Sequence, residues 1–285
     1  NDSEKNDLIN LAVKLFEYSN VKIRYTKWLD IGHPNTYQMT RISAITSRFF
    51  NTLTYDKNKN TIKKKSIRKI KIKNEIAFYK NLPNEYKIFF PMFLNNTKEG
   101  KETSYEMEYI DKPNLSEIFL FSRIGPNSIL RIFNSIENAF KTFYNKKSLV
   151  HEKASQLYSL KTKEREFELR NIMKNKEFDF LRKIYEKDFK LNNHIFPSLK
   201  KSFSVLNYWL KKFEVNRPFH IGHGDLCFNN ILVDPIDGKI HLIDPKAEVH
   251  IHLKKYGLVD NFYDLSKLNH SINGFYDSIV NNLFK

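Results

Sequence analysis

Three side chains with hard oxygen donors lie close together near the end of the chain. The stretch HGDLCFNN places Asp225 and Asn230 five residues apart, and Asp244 follows fourteen residues later within IHLIDPK. Mg²⁺ binds to a few carboxylate or amide oxygens together with substrate phosphates. A base, a metal-binding amide and a metal-binding carboxylate around one phosphoryl group are the parts that phosphoryl transfer needs. The residue types and their spacing therefore predict a phosphotransferase site.

Each residue of this set has an expected role. We expect Asp225 to accept the proton of an acceptor hydroxyl or to orient that hydroxyl. Asn230 and Asp244 would hold Mg²⁺ against nucleotide phosphates, and His223 would brace the loop by hydrogen bonding. The catalytic set is thus Asp225, His223 and Asn230. The alternative is an Asp-rich turn that only caps a helix.

The segment between Asn230 and Asp244 must bring the two residues back together. ILVD and KIHLID are each typical of a short strand, and PIDG between them is typical of a turn. A tight hairpin would reverse the chain at PIDG and return Asp244 to the loop that carries Asp225. The tail from Asp260 is predicted to be helical.

Upstream, the sequence predicts a sheet followed by helices. The predicted strands are residues 43–54, residues 61–65, FPMFLNN and TSYEMEYI, and a helix over 67–82 ends at Pro83. After Pro113, helices are predicted near 115–122, 126–145, 155–189 and 196–214. The predicted fold class is therefore α+β, with a small antiparallel β lobe, a hinge near 107–113 and a larger helical lobe.

Composition narrows the classes of function. The single cysteine, Cys227, excludes an internal disulfide and fits a reducing cytosol. There is no apolar run of about 18 residues that could span a membrane, and no signal-peptide pattern. We therefore expect a cytoplasmic protein with no transmembrane segment.

The net charge of +16 indicates either a lysine-rich surface or an attraction for anionic ligands such as nucleotides, phosphorylated metabolites or a membrane surface. The sequence has no zinc-finger spacing and no RNA-binding aromatic motif. Nucleic acid is therefore not expected as a partner.

The motif HGDLCFNN…LIDP resembles the H-G-D-x-x-x-x-N…I-D signature of the aminoglycoside phosphotransferase and choline kinase family. These are small-molecule kinases with a bilobal, protein-kinase-like fold. The resemblance implies ATP or another NTP as donor and Mg²⁺ as cofactor. It divides the chain into an N-terminal helix and turn segment (1–40), a nucleotide-binding N-lobe (41–110) and a helical C-lobe with the catalytic loop and acceptor site (111–285).

The resemblance also implies residues that bind the nucleotide phosphates. A strand lysine grips the phosphates in such kinases and pairs with a helix glutamate. Lys64 and Glu75 match these positions, with Lys63 or Lys65 as alternatives if the register differs. In DNFYDLSKLNHS, Asp264 would support the catalytic loop through backbone hydrogen bonds, or cap a helix.

The nucleotide base is expected between the hinge and the later hairpin. Met107 would back the pocket, while Glu108 and Ile110 would offer main-chain atoms to the base. Leu232 and Ile243, on the two arms of the hairpin, would form its floor. All five could equally be ordinary structural residues.

One departure from the family concerns the phosphate loop. No glycine occurs between Gly32 and Gly100, although glycine allows close backbone approach to phosphate. The loop TSRFFN (46–51) would instead use the side chains of Ser47 or Arg48. This leaves open GTP or another donor, and a catalytically inactive nucleotide-binding module.

A second resemblance lies near the start of the sequence. KWLDIGHPNTY (27–37) is similar to the W-x-D-I-G-T-P-x-x-Y segment near the end of sugar nucleotidyltransferase domains, where Asp30 would be a metal-binding position. The hypothesis is a chain that forms the C-terminal part of a bifunctional kinase and nucleotidyltransferase. The absence of an initiating Met favours it. An ordinary turn around a buried Trp28 is the alternative.

The sequence constrains the identity of the acceptor less than that of the nucleotide and the metal. We expect a hydroxyl of a sugar or sugar-like polyol, in the synthesis of bacterial surface polysaccharide precursors, with choline or another amino alcohol as the alternative. Lys161, Arg165 and Lys246 could bind sugar oxygens or an acidic group, or could be surface charges. A protein kinase is disfavoured because only about twenty residues separate Asp244 from Asp264.

Overall fold

The computed structural model describes residues 10–11, 13–14, 51–66, 69–99, 102–145, 147–148, 150–212, 216–247, 249–250 and 255–283. The chain forms two compact units, Asn1–Thr46 and Ser47–Lys285. The described residues of the first unit are helical. All the elements named below belong to the second unit.

Four antiparallel strands and one helix form the N-terminal part of this unit. The strands are β1 (Asn51–Asp56), β2 (Thr61–Ser66), β3 (Phe93–Glu99) and β4 (Glu102–Glu108), in the order β1-β2-β4-β3. In the β1–β2 turn, Asp56 accepts hydrogen bonds from the amides of Asn58 and Lys59, and Asn60 adopts a φ of 53°. Asn tolerates this left-handed conformation better than most residues. The antiparallel sheet and its hairpin are thus confirmed over the described residues, and residues 43–50 of the predicted first strand lie outside them.

Helix α1 (Lys69–Asn81) packs on the sheet. Its apolar residues Ile72, Ile76 and Tyr79 recur at intervals of four and three, so they share one buried face. That face meets a cluster of aromatic rings that includes Phe90 and Tyr105. The predicted helix over 67–82 is therefore confirmed over its described residues.

The C-terminal part is mainly helical. Its helices are α3 (Leu115–Phe121), α4 (Pro126–Tyr144), α5 (Ala154–Ile172), α6 (Asp179–Glu186), α7 (Leu199–Lys212), α8 (Asn261–Ile272) and α9 (Tyr276–Val280). The short helix α2 (Asn84–Lys87) precedes β3 in the chain and packs against α4. Helix α3 begins with a capping box, in which Asn114 and Glu117 each accept the other's backbone N–H. The α+β fold class, with a helical C-terminal part, is thus confirmed.

Two helix predictions need correction. The predicted helix over 155–189 is interrupted after Ile172 and resumes only at Asp179. The predicted helix over 196–214 begins only at Leu199, because Phe196 belongs to a short hairpin of β6 (Phe189–Leu191) and β7 (His194–Phe196). Asn192 and Asn193 between them both have positive φ values, which a two-residue hairpin turn requires. Residues 213–214 lie outside the described residues.

A small sheet in the helical part was not predicted. It contains β5 (Val150–Lys153), β8 (Asn216–Ile221) and β13 (Leu258–Asp260), in the order β13-β8-β5. Strand β8 ends immediately before Gly222, so this sheet fixes the start of the HGDLCFNN loop. A further short pair consists of β11 (Val249–His250) and β12 (Lys255–Tyr256).

The predicted hairpin after Asn230 is present. Strands β9 (Ile231–Val233) and β10 (Ile240–Leu242) pair antiparallel. The first and last residues of each strand are buried in the core. Leu232 and His241 lie opposite each other on the other face. Among the described helices, we find none with the length and apolar character needed to cross a bilayer.

Candidate active site

A buried ion pair connects the sheet to helix α1. The Lys64 ammonium lies 2.8 Å from Glu75 Oε2, and both side chains are almost fully buried. The Tyr105 hydroxyl donates to the same Glu75 oxygen at 2.9 Å. Lys63 and Lys65 point to the opposite face of β2, because side chains alternate along a strand. The structure therefore brings Lys64, rather than its neighbours, to Glu75.

Lys64 also contacts Asp244, at 2.5 Å from Oδ1. Burial opposes the charged form of Lys64, but Asp244 and Glu75 outweigh that effect and raise its pKa. A second cation close to these two carboxylates, Lys71, was not predicted from the sequence. Lys71, one turn before Glu75 on α1, lies 3.5 Å from Glu75 and 3.7 Å from Asp244. The i, i+4 spacing to Glu75 was the available signal.

Asp264 holds the start of the catalytic loop. Its two carboxylate oxygens accept the backbone N–H groups of His223 at 2.9 Å and Gly224 at 2.8 Å. The Tyr144 hydroxyl donates to it at 2.6 Å. Asp264 is fully buried, and burial raises its pKa despite these donors. The N-cap of α8 is instead Asp260, whose side chain accepts from the Phe262 amide.

His223 ties the loop to the hairpin. Its Nε2 lies 2.9 Å from the Ile243 carbonyl, and its Nδ1 lies 3.2 Å from the Asp225 amide. These partners assign a neutral ring that donates through Nε2 and accepts at Nδ1. Gly224 between them has a φ of 75°, and a Cβ there would lie 2.9 Å from Lys246 Cβ. Only glycine fits this turn without strain.

Asp225 is positioned from two sides. The side-chain Nδ2 of Asn230 donates to the Asp225 backbone carbonyl at 2.8 Å, which closes the loop. Lys267 of α8 lies 2.9 Å from Asp225 Oδ1. Burial opposes the charge on Lys267, but the bond to Asp225 outweighs it and raises the pKa of Lys267. Lys267 was also missed by sequence reasoning, although it lies one turn after Asp264.

Asn230 and Asp244 come together through the hairpin. The Ile243 amide donates to the Asn230 carbonyl at 3.0 Å, so the residue before Asp244 is bonded to Asn230. Asp244 itself has a φ of 57°, a conformation that non-glycine residues rarely adopt outside special sites.

These two residues fit Mg²⁺. The part of the chain that the structure describes contains no group of three or more His, Cys, Asp or Glu side chains suited to a metal. Mg²⁺ does not need such a group, since one or two protein oxygens with water and phosphates complete its shell. The Asn230 amide oxygen and the Asp244 carboxylate are hard donors of the required kind.

The predicted base pocket is only partly as expected. Met107 is buried, but the Glu108 amide donates to the Met92 carbonyl and the Ile110 carbonyl accepts from Lys112. These two main-chain groups are therefore already engaged. The base would have to use the other group of each residue, the Glu108 carbonyl and the Ile110 amide.

The remaining predicted base-site residues, Leu232 and Ile243, lie on or directly after the hairpin. Leu232 and His241 share one face of the hairpin, and Ile243 continues that face two residues after His241. The Nδ1 atom of His241 is buried without a hydrogen-bond partner, and burial lowers the pKa of this ring. His241 was not among the predicted residues. Ser47, Arg48 and Asp30 lie outside the described residues.

A cavity of about 1020 Å³ lies beside the carboxylates of the Lys64 contacts and the Asp225 loop. Its lining includes Glu75, Asp244 and Asp225, together with Tyr263 and a set of basic side chains, which are Lys71, Lys161, Arg165, Lys246 and Lys267. A single open space therefore borders the Lys64-bound carboxylates, the loop aspartate and a positively charged wall.

No family model matches this chain, and no curated protein matches it. Among solved structures, it is similar to a thermostable mutant of aminoglycoside phosphotransferase APH(4)-Ia in its apo form, with a TM-score of 0.52 and 8% sequence identity, over 78% of this chain and 69% of that chain. A second match is an aminoglycoside-3'-phosphotransferase of type VIII, with a TM-score of 0.44 and 13% identity, over 73% of this chain and 67% of that chain.

The likeness identifies the class of fold as the bilobal, protein-kinase-like one, as the sequence predicted. Within that class, the chain has the fold of the aminoglycoside phosphotransferases.

Proposed function

We propose that this chain is an ATP-dependent small-molecule kinase that phosphorylates a hydroxyl group. The observation that carries the proposal is the contact of Lys64 with Glu75 and Asp244, two carboxylates that line the same cavity as Asp225. A cation for phosphates, a metal-binding carboxylate and a base then surround one space. This is the set of parts that phosphoryl transfer requires.

In this proposal Asp225 binds the acceptor hydroxyl and takes its proton as the new oxygen–phosphorus bond forms. The bond from the γ-phosphorus to the bridging oxygen breaks, and ADP leaves. Mg²⁺, held by Asn230 and Asp244, would neutralise charge on the phosphates. Lys64 binds the phosphates, and His223 acts as a positioning residue through its contacts with Ile243 and Asp225.

The proposed base site uses the Glu108 carbonyl and the Ile110 amide, with Met107 behind the base and Leu232 and Ile243 beneath it. His241 would add a polar atom to this site. Ser47 or Arg48 would contact the phosphates in place of a glycine-rich loop. The hydrogen bonds that the Glu108 carbonyl, the Ile110 amide and His241 make with the base would determine whether ATP or GTP is preferred.

The acceptor we propose is a sugar or sugar-like polyol. The chain has a net charge of +16, and basic side chains slightly outnumber acidic ones in the cavity lining, which disfavours a polycationic aminoglycoside by charge repulsion. Choline is disfavoured too, because Lys161 already lies 4.2 Å above the Tyr263 ring where a quaternary ammonium would bind. A cytosolic role in bacterial surface polysaccharide precursor synthesis, with a fused or associated nucleotidyltransferase, is part of this proposal.

The test is Mg²⁺-dependent ADP formation by the full chain against a panel of polyols, sugars and amino alcohols. The Asp225→Asn variant should lower kcat by about 10²- to 10⁴-fold, the range for loss of a general base. Its nucleotide affinity should be unchanged. The matched control is Asp237→Asn in the hairpin turn, where asparagine keeps the acceptor for the Lys239 amide.

The proposal fails if the chain binds nucleotide, phosphorylates no acceptor, and Asp225→Asn changes no measured property. That result would describe a nucleotide-binding module without catalysis.

A further inference from the structure

The second half of the catalytic loop is held by residues that the proposed reaction does not use. Asp264 fixes the backbone of His223 and Gly224, but the loop continues beyond them to Asn230. Its last residues, Phe228–Asn230, form a short 3₁₀ turn that ends at this proposed metal-binding side chain. The orientation of Asn230 therefore depends on what holds the turn.

Two side chains from the C-terminal helices contact this turn. The Phe228 amide donates to Ser271 Oγ at 3.1 Å, and the Asn229 side chain donates to Asp277 Oδ1 at 3.1 Å. Ser271 belongs to α8 and Asp277 to α9, and both residues are almost fully buried. The two residues directly before Asn230 are thus each tied to the C-terminal helices.

Apolar packing and hydrogen bonds hold the turn in different ways. The Phe228 ring is fully buried and meets the Phe119 ring of α3 edge to face, with centroids 5.4 Å apart. The Asn230 amide donates to the Cys227 carbonyl at 2.9 Å, which closes the turn. Apolar contact is not directional, whereas hydrogen bonds are. The packing therefore fixes the depth of the turn, and the two bonds from the C-terminal helices fix its rotation.

The corner of the fold that carries Asp277 has two unfavourable features. Within the described residues, Asp277 Oδ2 is buried and has no hydrogen-bond partner, which in a native structure calls for an explanation other than stability. Phe275, at the N-cap of α9, has a φ of 50°, in the left-handed region that non-glycine residues rarely adopt. Strained backbone of this kind concentrates at functional sites. These costs favour a role in the site over a role in folding alone.

We propose that Ser271 and Asp277 are positioning residues for the metal site, which hold the Phe228–Asn230 turn so that the Asn230 amide oxygen is presented to Mg²⁺. Because Asn230 Nδ2 donates to the Asp225 carbonyl at 2.8 Å, a rotation of the turn would displace both residues at once. Partners behind a metal ligand commonly orient it in this way. The inference deepens the proposed kinase function and rests on it.

The test separates the bond between Asn229 and Asp277 from its contribution to stability. Asn229→Leu and Asp277→Leu each leave one polar partner unpaired. The double variant replaces both partners with apolar groups, a change that can be nearly neutral for stability. Each single variant should lower the Tm measured by circular dichroism by about 2–12 °C, and the double variant should recover most of that loss.

Activity should not recover with the Tm. In the double variant, the Mg²⁺ concentration for half-maximal ADP formation should be about 10- to 100-fold higher than in the natural chain, the range for outer-shell partners of metals. Ser271→Ala removes the acceptor for the Phe228 amide and should shift this concentration in the same direction. The matched control is Ser204→Ala, an exposed serine of α7 whose hydroxyl donates to the Lys200 carbonyl. It should keep the natural response to Mg²⁺.

The conservative variant Asp277→Asn distinguishes the hydrogen bond from the charge. Asparagine keeps an acceptor oxygen for the Asn229 side chain, so this variant should respond to Mg²⁺ much as the natural chain does. A loss in Asp277→Asn as large as in Asp277→Leu would overturn the inference, because charge would then be the cause. Recovery of both the Tm and the natural Mg²⁺ response in the double variant would also overturn it, since the contact would then serve folding alone.

Hydrogen exchange keeps the inference separate from the proposed function. Exchange of the peptide over residues 223–233 in the free protein needs neither nucleotide nor turnover. It should be faster in the double variant than in the natural chain, by up to about 10-fold, the scale of one hydrogen bond. If no acceptor is phosphorylated but this difference is found, the kinase proposal fails and the positioning of the loop stands. If exchange is the same in both chains, the inference fails, whatever the kinetics show.

Discussion

The ammonium of Lys64 lies 2.5 Å from the carboxylate of Asp244, although 180 positions separate the two residues in the chain. The first belongs to the N-terminal sheet and the second follows the hairpin of the helical part. Glu75 also contacts the same ammonium, at 2.8 Å. This contact joins the residue expected to bind phosphates to the residue expected to bind metal.

Removing Lys64 should destabilise the fold as well as the site. Lys64→Met removes the closer of the two cations that contact the buried Glu75 carboxylate, and it leaves only the partly exposed Lys71 at 3.5 Å. Breaking a buried ion pair from one side costs about 3–5 kcal/mol of unfolding free energy. Chemical denaturation monitored by circular dichroism would measure it.

The neighbour Lys63 provides the control, since it lies on the opposite face of the strand. Lys63→Met should cost less than about 1 kcal/mol. Adding Glu75→Gln to Lys64→Met should recover part of the lost unfolding free energy, because the buried charge of the Glu75 carboxylate is then removed. Equal losses for Lys63→Met and Lys64→Met would contradict the pairing seen here.

Asp244 should be needed for magnesium-dependent nucleotide binding. Asp244→Asn keeps the shape of the side chain but removes the charge, so nucleotide affinity in the presence of Mg²⁺ should fall by at least about 10- to 100-fold, the range found even for outer-shell partners of metals. Chelation of Mg²⁺ should weaken binding to the natural chain far more than to the variant. Fluorescent-nucleotide titration with and without EDTA measures both effects.

Asp234→Asn is the control for this prediction, since Asp234 lies at the other end of the same hairpin and pairs with Lys112 at 2.6 Å. A response to EDTA in Asp244→Asn as large as in the natural chain would argue against the metal role.

Gly224 should not tolerate a side chain. Its φ of 75° and the 2.9 Å approach to Lys246 Cβ predict that Gly224→Ala costs about 1–3 kcal/mol in strain. Because the displaced atom belongs to Lys246, KM for the acceptor should rise more than KM for the nucleotide. Gly125→Ala is a suitable control, since a Cβ there meets nothing within 4 Å. Wild-type kinetics in Gly224→Ala would refute this account of the loop.

Lys161 should act on stability in the direction opposite to Lys64. Burial and Lys246 lower its pKa below 10.5, so its charge is unfavourable in the folded state. Lys161→Met should therefore raise the free energy of unfolding at neutral pH, by roughly 0.5 kcal/mol for a like-charge contact. Thermal unfolding of both chains across a pH series would test this.

The sign of the pH dependence follows from linkage. A lysine with a lowered folded-state pKa binds fewer protons when folded than when unfolded, so stability rises with pH between the lowered pKa and 10.5. The advantage of Lys161→Met should be largest below that window and shrink through it. An advantage that grows with pH would show that the charge of Lys161 is not the cause.

Local patterns made much of the fold predictable. The hairpin β9–β10 follows from two short apolar runs around PIDG, and α1 follows from its regular apolar spacing with Pro83 at its end. Strands β5, β8 and β13 escaped prediction because each is short and pairs only with strands distant in sequence. Nothing local to Val150–Lys153 distinguishes that segment from a helix end or a loop.

The sequence by itself determined which chemistry the chain could carry. The types and spacing of Asp225, Asn230 and Asp244 are fixed by a short stretch and its hairpin, where neighbours in sequence are neighbours in space. Only the tertiary structure decided which cations meet them. The family resemblance indicated Lys64, with Lys63 and Lys65 left open, and Lys267 was not predicted; which lysines meet these carboxylates depends on contacts between elements far apart in the chain. Such contacts form because apolar packing brings the elements together, and no local pattern records which charged side chains that packing will place in the same cavity.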